Sequence, residues 1–79
     1  MNKDFKVAVV TGASSGIGAE VVKKLASMQF IVVMLARDSK KMDFIADECP
    51  EKFRPYKIVT DLKDTESVDN AFLEIKKEF

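Results

Sequence analysis

Three short apolar runs, at residues 5–10, 30–36 and 56–60, set the pattern of this chain. Each is rich in β-branched or aromatic residues and has the length of a β-strand. The first two are apolar enough to predict strands that are buried on both faces of a parallel sheet.

The segments that follow these runs repeat their apolar residues every three or four positions, which predicts amphipathic helices packed on the sheet. In chain order, the three apolar faces comprise Ile17, Val21, Val22, Leu25, Ala26 and Met28; Met42, Ile45, Ala46 and Cys49; and Val68, Ala71, Phe72, Ile75 and Phe79. Asp38 is placed to cap the second helix. Pro50 ends that helix, because the residue before a proline is pushed away from the helical region.

The elements alternate in the order βαβαβα, and such alternation predicts a parallel sheet joined by right-handed crossovers. We therefore expect an α/β fold with a Rossmann-type, three-stranded parallel sheet in the order 3-2-1, which is one half of a doubly wound fold. No repeat, linker or low-complexity segment divides the chain, so residues 1–79 are interpreted as a single unit.

Charge and composition argue against several classes of binding partner. Thirteen basic and thirteen acidic residues are mixed along the chain, so no basic face is predicted for nucleic acid or an anionic membrane. With one cysteine and no histidine, neither an internal disulfide nor a metal site is expected. The apolar runs are too short to span a bilayer and no signal-peptide pattern is present, so we expect a cytoplasmic protein.

Candidate chemistry is concentrated where the first strand meets the first helix. Gly12, Gly16 and Gly18 are the only glycines of the chain, and all three lie in this junction. A helix N-terminus carries unpaired N–H groups and attracts phosphate, while glycine lets the backbone approach it closely. The spacing G-x3-G-x-G differs from the general G-x-G-x-x-G dinucleotide fingerprint.

Residues 11–18, Thr-Gly-Ala-Ser-Ser-Gly-Ile-Gly, resemble the T-G-x-x-x-G-x-G signature of the short-chain dehydrogenase/reductase family. Leu35-Ala-Arg-Asp38 follows the second strand, where the family reads the cofactor ribose. Asp61-Leu62 follows the third strand, where the family has an acidic and aliphatic pair beside the adenine. The resemblance implies an oxidoreductase that reduces carbonyls or oxidises alcohols with NAD(P)(H). It makes residues 1–79 a dinucleotide-binding half-domain, incomplete relative to the family.

The resemblance also implies roles for individual residues. Gly12, Gly16 and Gly18 would admit the pyrophosphate. Ser14, Ser15 and the Ile17 amide would hydrogen-bond phosphate or ribose oxygens. Asp61 would accept a hydrogen bond from the adenine amino group and the Leu62 amide would support the ring. Two alternatives stay open: a glycine-rich turn without a ligand, and Asp61 as a plain turn residue before the last helix.

NADP is favoured over NAD by the residues after the second strand. Ala36 stands where NAD-selective members of the family carry an acid. Arg37 follows it, and a guanidinium suits the oxygens of a 2′-phosphate. Asp38 lies at a distance at which an acid would bind the ribose of NAD, but it is better placed as a helix cap.

Two departures from the family pattern matter. Gln29 occupies a position where the family commonly has a left-handed glycine, which costs about 1 kcal/mol. The family's N-N-A-G motif and its catalytic serine, tyrosine and lysine do not occur, and Tyr56 lacks a lysine four residues later. No catalytic residue is predicted, and the substrate stays open.

Three functions are compatible with this pattern: the cofactor-binding part of an oxidoreductase, a catalytically silent nucleotide-binding or interaction module, and a folding unit whose chemistry another chain supplies. With no fourth strand beside it, the strand at 5–10 is expected to form an exposed apolar edge. Such an edge should recruit a second copy or a further part of the same protein.

Overall fold

The computed structural model describes residues 5–79 and contains six regular elements and a short 3₁₀ helix. In chain order they are β1 (Val7–Thr11), α1 (Gly16–Ser27), β2 (Ile31–Ala36), α2 (Ser39–Asp47), a 3₁₀ helix (Glu51–Phe53), β3 (Tyr56–Val59) and α3 (Thr65–Glu78). The predicted alternation of strands and helices is confirmed. The 3₁₀ helix was not predicted, although its Phe53 is buried and packs edge-on against the Phe5 ring.

The three strands form one parallel sheet in which each strand lies beside the strand that precedes it in the chain. Val9 pairs with Val33 between β1 and β2, and Leu35 pairs with Ile58 between β2 and β3. The order β1-β2-β3 confirms the predicted Rossmann-type half sheet.

Two apolar clusters cover the two faces of β2. The first consists of Ala13, Val22, Ala26, Val32, Met34, Ala36, Met42, Ile45 and Ala46, and joins α1 and α2 to one face. The second, Val33, Leu35 and Ala71, joins α3 to the other face. Successive residues of a strand point to opposite faces, so β2 is divided between the two clusters and is buried on both sides, as predicted.

The prediction that the first strand is buried on both faces is wrong for the described residues. Val9 of β1 is 38% exposed and Thr11 is exposed. The reason is position in the sheet: β1 pairs only with β2 among residues 5–79. The α3-side cluster reaches β1 only through Val7.

The apolar faces predicted for α1 and α3 include residues that the structure leaves exposed. On α1, Val22 and Ala26 are buried, whereas Ile17 is 84% exposed and Val21 and Met28 are also exposed. On α3, Ala71 is buried and Phe72 is half exposed. Three- and four-residue spacing gathers residues from a broad arc of the helix, but a single sheet covers only part of that arc.

Local signals at the helix ends were more accurate. The Asp38 carboxylate accepts a hydrogen bond from the Lys41 amide at 3.0 Å, which confirms the predicted cap of α2. Asp64 caps α3 in the same manner by accepting from the Glu66 amide at 3.1 Å. Gln29 adopts the left-handed conformation expected of its position, with φ of 67°.

Within residues 5–79, no helix combines the length and the apolar character needed to cross a bilayer. The cytoplasmic location stays a prediction.

Candidate functional site

The three segments singled out by the sequence meet at one edge of the sheet. Because the strands are parallel, their carboxyl ends lie together, with Thr11 opposite Leu35 and Ala36 opposite Val59. Two backbone hydrogen bonds extend this pairing: the Gly12 amide donates to the Leu35 carbonyl at 3.0 Å, and the Thr60 amide donates to the Ala36 carbonyl at 2.8 Å. Ligands of open α/β sheets bind at this edge.

Two glycines give the first turn at this edge its shape. Gly12 has φ of 64° and Gly16 has φ of 50°, a region that side chains with a Cβ atom rarely adopt. A Cβ atom added at either position would meet no atom within 4 Å. The space in front of both glycines is therefore open.

Gly18 has a different local role. A Cβ atom at this position would overlap the Gly12 carbonyl oxygen and lie 3.2 Å from Cα of Ala13. Glycine is required here because the first turn of α1 packs directly on the turn before it. A part for Gly18 in admitting a pyrophosphate stays a prediction.

The N-terminus of α1 retains unpaired backbone donors. Ser15 precedes the helix and its side chain makes no capping hydrogen bond. The Ser15 carbonyl accepts from the Ala19 amide at 3.3 Å, so the amides of the first helical residues, Gly16 and Ile17, lie ahead of the first helical bond. No acidic residue lies in the first turn of α1 to offset its positive end. Ser14 is half-buried and Ser15 exposed, both on the turn that leads to these amides.

Arg37 lies at the end of β2 with an exposed side chain. The four ion pairs found among residues 5–79 join the basic residues Lys23, Arg54 and Lys57 to acids, and none of them includes Arg37. The carboxylate of Asp38, the next residue, caps α2 by accepting a hydrogen bond from the Lys41 amide.

Asp61 and Leu62 follow β3 at the same edge. The Asp61 carboxylate accepts from the Lys63 amide at 3.0 Å, which is a turn built by the side chain. The Asp61 amide donates to the Ser67 hydroxyl at 3.0 Å. The alternative of a turn residue is therefore observed, while contact with an adenine stays a prediction. The support from Ser67 was missed, since the sequence carries no signal that aims this side chain at the turn.

Away from this edge, the described residues contain no cluster that suggests a second reactive site. Among the described residues, no cluster of three potential metal ligands occurs. The pKa of Lys23 is raised by the nearby carboxylates of Glu20, on the same helix, and Glu48, whose ion pair with Lys23 links α1 to the end of α2. Burial raises the pKa of the Cys49 thiol, so it is a poorer nucleophile than an exposed cysteine.

Tyr56 and a cleft lie at the opposite edge of the sheet, where the strands begin. Tyr56 begins β3, and its ring packs edge-on against Phe79 with centroids 5.0 Å apart, which supports its interpretation as a strand residue. The cleft, of about 640 Å³, is lined by Ile31, Phe53 and Pro55 among others. It lies away from the glycine turn and does not belong to the candidate site.

The family is decided by comparison with known sequences. The sequence model described as short chain dehydrogenase matches residues 6–79. The chain belongs to the short-chain dehydrogenase family. Its glycine turn is thus a family element in a sheet of the family's topology, while the binding of a ligand by that turn stays a prediction.

Individual proteins are similar to this chain in sequence or in fold. A farnesol dehydrogenase of Aedes aegypti is 38% identical over 76 residues, which is 94% of this chain and 31% of the relative. An X-ray structure of an alcohol dehydrogenase from Thermococcus sibiricus, complexed with 5-hydroxy-NADP, is 30% identical with a TM-score of 0.87 over 95% of this chain and 33% of that one. A metagenomic short-chain oxidoreductase in complex with NADP is 34% identical with a TM-score of 0.81 over 89% and 32%. This chain spans about a third of the length of these relatives.

Proposed function

We propose that residues 1–79 form the dinucleotide-binding half-domain of a short-chain dehydrogenase and bind NADP(H) at the carboxyl edge of the sheet. One observation carries the proposal: the uncapped N-terminus of α1 faces open space that Gly12 and Gly16 leave clear of side chains. A pyrophosphate needs backbone donors, a positive helix end and room for close approach. All three occur together here, so the residues present fit the group.

The glycine turn would hold the phosphates. The Ile17 amide lies in the first turn of α1, where its hydrogen is directed out of the helix N-terminus. Ser14 and Ser15 place hydroxyl groups beside that amide for phosphate or ribose oxygens. The exposed Ile17 side chain projects from the same turn and adds an apolar surface for the ligand to cover.

Asp61 and Leu62 would hold the adenine end. One Asp61 oxygen already accepts from the Lys63 amide, which fixes the orientation of the carboxylate. A carboxylate has acceptor sites on both oxygens, so it can also accept from an amino group. The Leu62 side chain is 46% exposed beside it and offers apolar surface to the ring.

Arg37 would distinguish NADP from NAD. It is the cation that follows β2, and its exposed side chain takes no part in the four ion pairs found among residues 5–79. Asp38 serves as the cap of α2, through one carboxylate oxygen. The structures of relatives that carry NADP or 5-hydroxy-NADP support this preference.

The chemistry of the whole protein is part of the proposal. A bound nicotinamide cofactor supplies or accepts hydride. The residues of this chain would bind and orient it, and residues 5–79 offer no positioned acid for a developing alkoxide. A catalytically silent nucleotide-binding or interaction module built on the same fold is the second candidate.

Calorimetric titration of the purified chain with NADPH and NADH tests the proposal. Wild type is expected to bind both and to prefer NADPH. Arg37→Asp should weaken NADPH more than NADH, because it removes a charge-assisted contact worth about 1.5–3 kcal/mol.

Lys52→Asp makes the same change of charge at the 3₁₀ helix, by the opposite edge of the sheet, and should leave both affinities unchanged. The ionic strength must be held constant, since salt screens exposed charges. Equal losses for both cofactors in Arg37→Asp would contradict the assignment of Arg37, and no binding of either by wild type would contradict the proposed function.

A further inference from the structure

A cluster on β3 and α2 ties the start of α2 to the sheet. The Lys57 ammonium donates to the Asp43 carboxylate at 2.7 Å and to the Ser39 hydroxyl at 2.7 Å. Ser39 is the first residue of α2 and Asp43 lies one turn further along the same helix. Lys57 therefore attaches two consecutive turns of α2 to β3.

This attachment bears on Arg37 through the chain itself. Ala36 ends β2 and its carbonyl accepts from the Thr60 amide, so the backbone before Arg37 is fixed. After Arg37, only Asp38 separates it from Ser39. The backbone of Arg37 is therefore bracketed by the sheet on one side and by the first turn of α2 on the other.

We propose that Lys57 is a positioning residue for dinucleotide selectivity: its bridge to Ser39 and Asp43 holds the first turn of α2 so that Arg37 is preset for a 2′-phosphate. The inference rests on the proposed function. A 2′-phosphate needs a cation in a defined place, whereas the 2′-hydroxyl of NADH makes no such demand. Loosening the start of α2 thus costs NADPH more affinity than NADH.

The chain offers a matched control. Arg54 pairs with Asp47 at the last residue of α2, with 2.6 Å between Nη1 and Oδ1. Both pairs are partly exposed cation–carboxylate contacts of the same helix, but Arg54 holds the end that faces away from Arg37. Lys57→Gln and Arg54→Gln each remove one positive charge and one anchor of α2.

The test compares the ratio of NADPH to NADH affinity by calorimetry at one ionic strength. Lys57→Gln should lower the ratio about threefold, the size expected for loss of a partly exposed ion pair. Lys57→Arg should restore it, and Arg54→Gln should leave it at the wild-type value. Asp43→Asn keeps the lysine charge but weakens its anchor, so it should also lower the ratio.

Hydrogen exchange of the ligand-free protein supplies a second readout. The Lys41 and Met42 amides bond to the Asp38 side chain and carbonyl, and they should exchange faster in Lys57→Gln. The Glu48 amide, bonded to the Ile45 carbonyl at the other end of α2, should not change.

Each contrary result has a distinct meaning. An unchanged ratio in Lys57→Gln, with wild type still preferring NADPH, overturns the inference and leaves the proposed function standing. A ratio that falls in Lys57→Gln but not in Asp43→Asn also overturns it, because Lys57 would then act by its charge alone. Absence of NADPH binding by wild type removes the proposed function and the inference together.

Discussion

Among the described residues, three adopt positive φ angles, and they have different consequences at the residue scale. Gly12 and Gly16 lie in the turn before α1, where the conformation clears space for a ligand. Gln29 lies in the turn between α1 and β2, where its conformation connects the helix to the strand. The same backbone conformation thus leaves open space in one turn and is a stability cost in the other.

Gly16→Val is expected to weaken dinucleotide binding. The added side chain meets no protein atom near its Cβ, so it fills the space assigned to the phosphates. Backbone strain of about 1 kcal/mol accompanies any side chain at this angle, so Gly16→Ala is the control for strain alone. Calorimetry should show a larger loss for valine than for alanine. Unchanged affinity in Gly16→Val would show that the glycine turn is not the phosphate site.

Gln29→Gly is expected to stabilise the fold by about 1 kcal/mol, because glycine adopts the left-handed region without a Cβ penalty. For a domain of this size the midpoint of thermal unfolding should rise by about 4–8 °C. Met28→Gly, one residue earlier at φ of −90°, provides the control and should give no gain. Calorimetric melting curves measure both variants. An unchanged unfolding midpoint for Gln29→Gly would show that the left-handed conformation of Gln29 carries no strain.

At the scale of the elements, the sequence predicted the kinds and order of strands and helices, the strand order of the sheet and the cap at Asp38. These depend on local pattern and on the geometry of parallel sheets. An exposed edge was expected at the first strand, but the exposure of Val21 and Phe72 was not predictable, because it depends on which neighbour each helix has. The bridge from Lys57 to Ser39 and Asp43 also joins residues whose proximity only the folded chain creates.

Asp64→Ala is expected to destabilise α3 and with it the whole fold by about 1 kcal/mol, since the Asp64 carboxylate accepts from the Glu66 amide at the helix start. Asp69→Ala removes an exposed carboxylate of the same helix that caps nothing and serves as the control. Urea unfolding measures both. Equal free energies of unfolding for the two variants would show that the cap contributes nothing.

At the scale of the whole molecule, the described sheet has two edges of different character. The β3 edge is short, follows Pro55 and carries Lys57, features that discourage pairing with another strand. The β1 edge contains Val7 and the partly exposed Val9, and no proline or charge lies within the strand. Association is therefore expected at β1 and not at β3.

Val9→Lys is expected to reduce self-association of the purified chain, because it places a charge on the apolar face of the open edge. Val59→Lys introduces the same charge on β3 and should leave association unchanged, since β3 is already protected. Sedimentation velocity across the micromolar range measures both variants. A wild-type chain that stays monomeric throughout that range would refute the expectation.

The neighbour-by-neighbour order of the strands has a consequence for folding during protein synthesis. Each strand pairs with the one made just before it, and each connecting helix packs on the two strands that it joins. The sheet can therefore grow in the order in which the ribosome delivers the chain, without waiting for distant segments. The burial of its central strand, β2, is complete only when β3 and α3 have emerged, because these two elements cover its second edge and its second face.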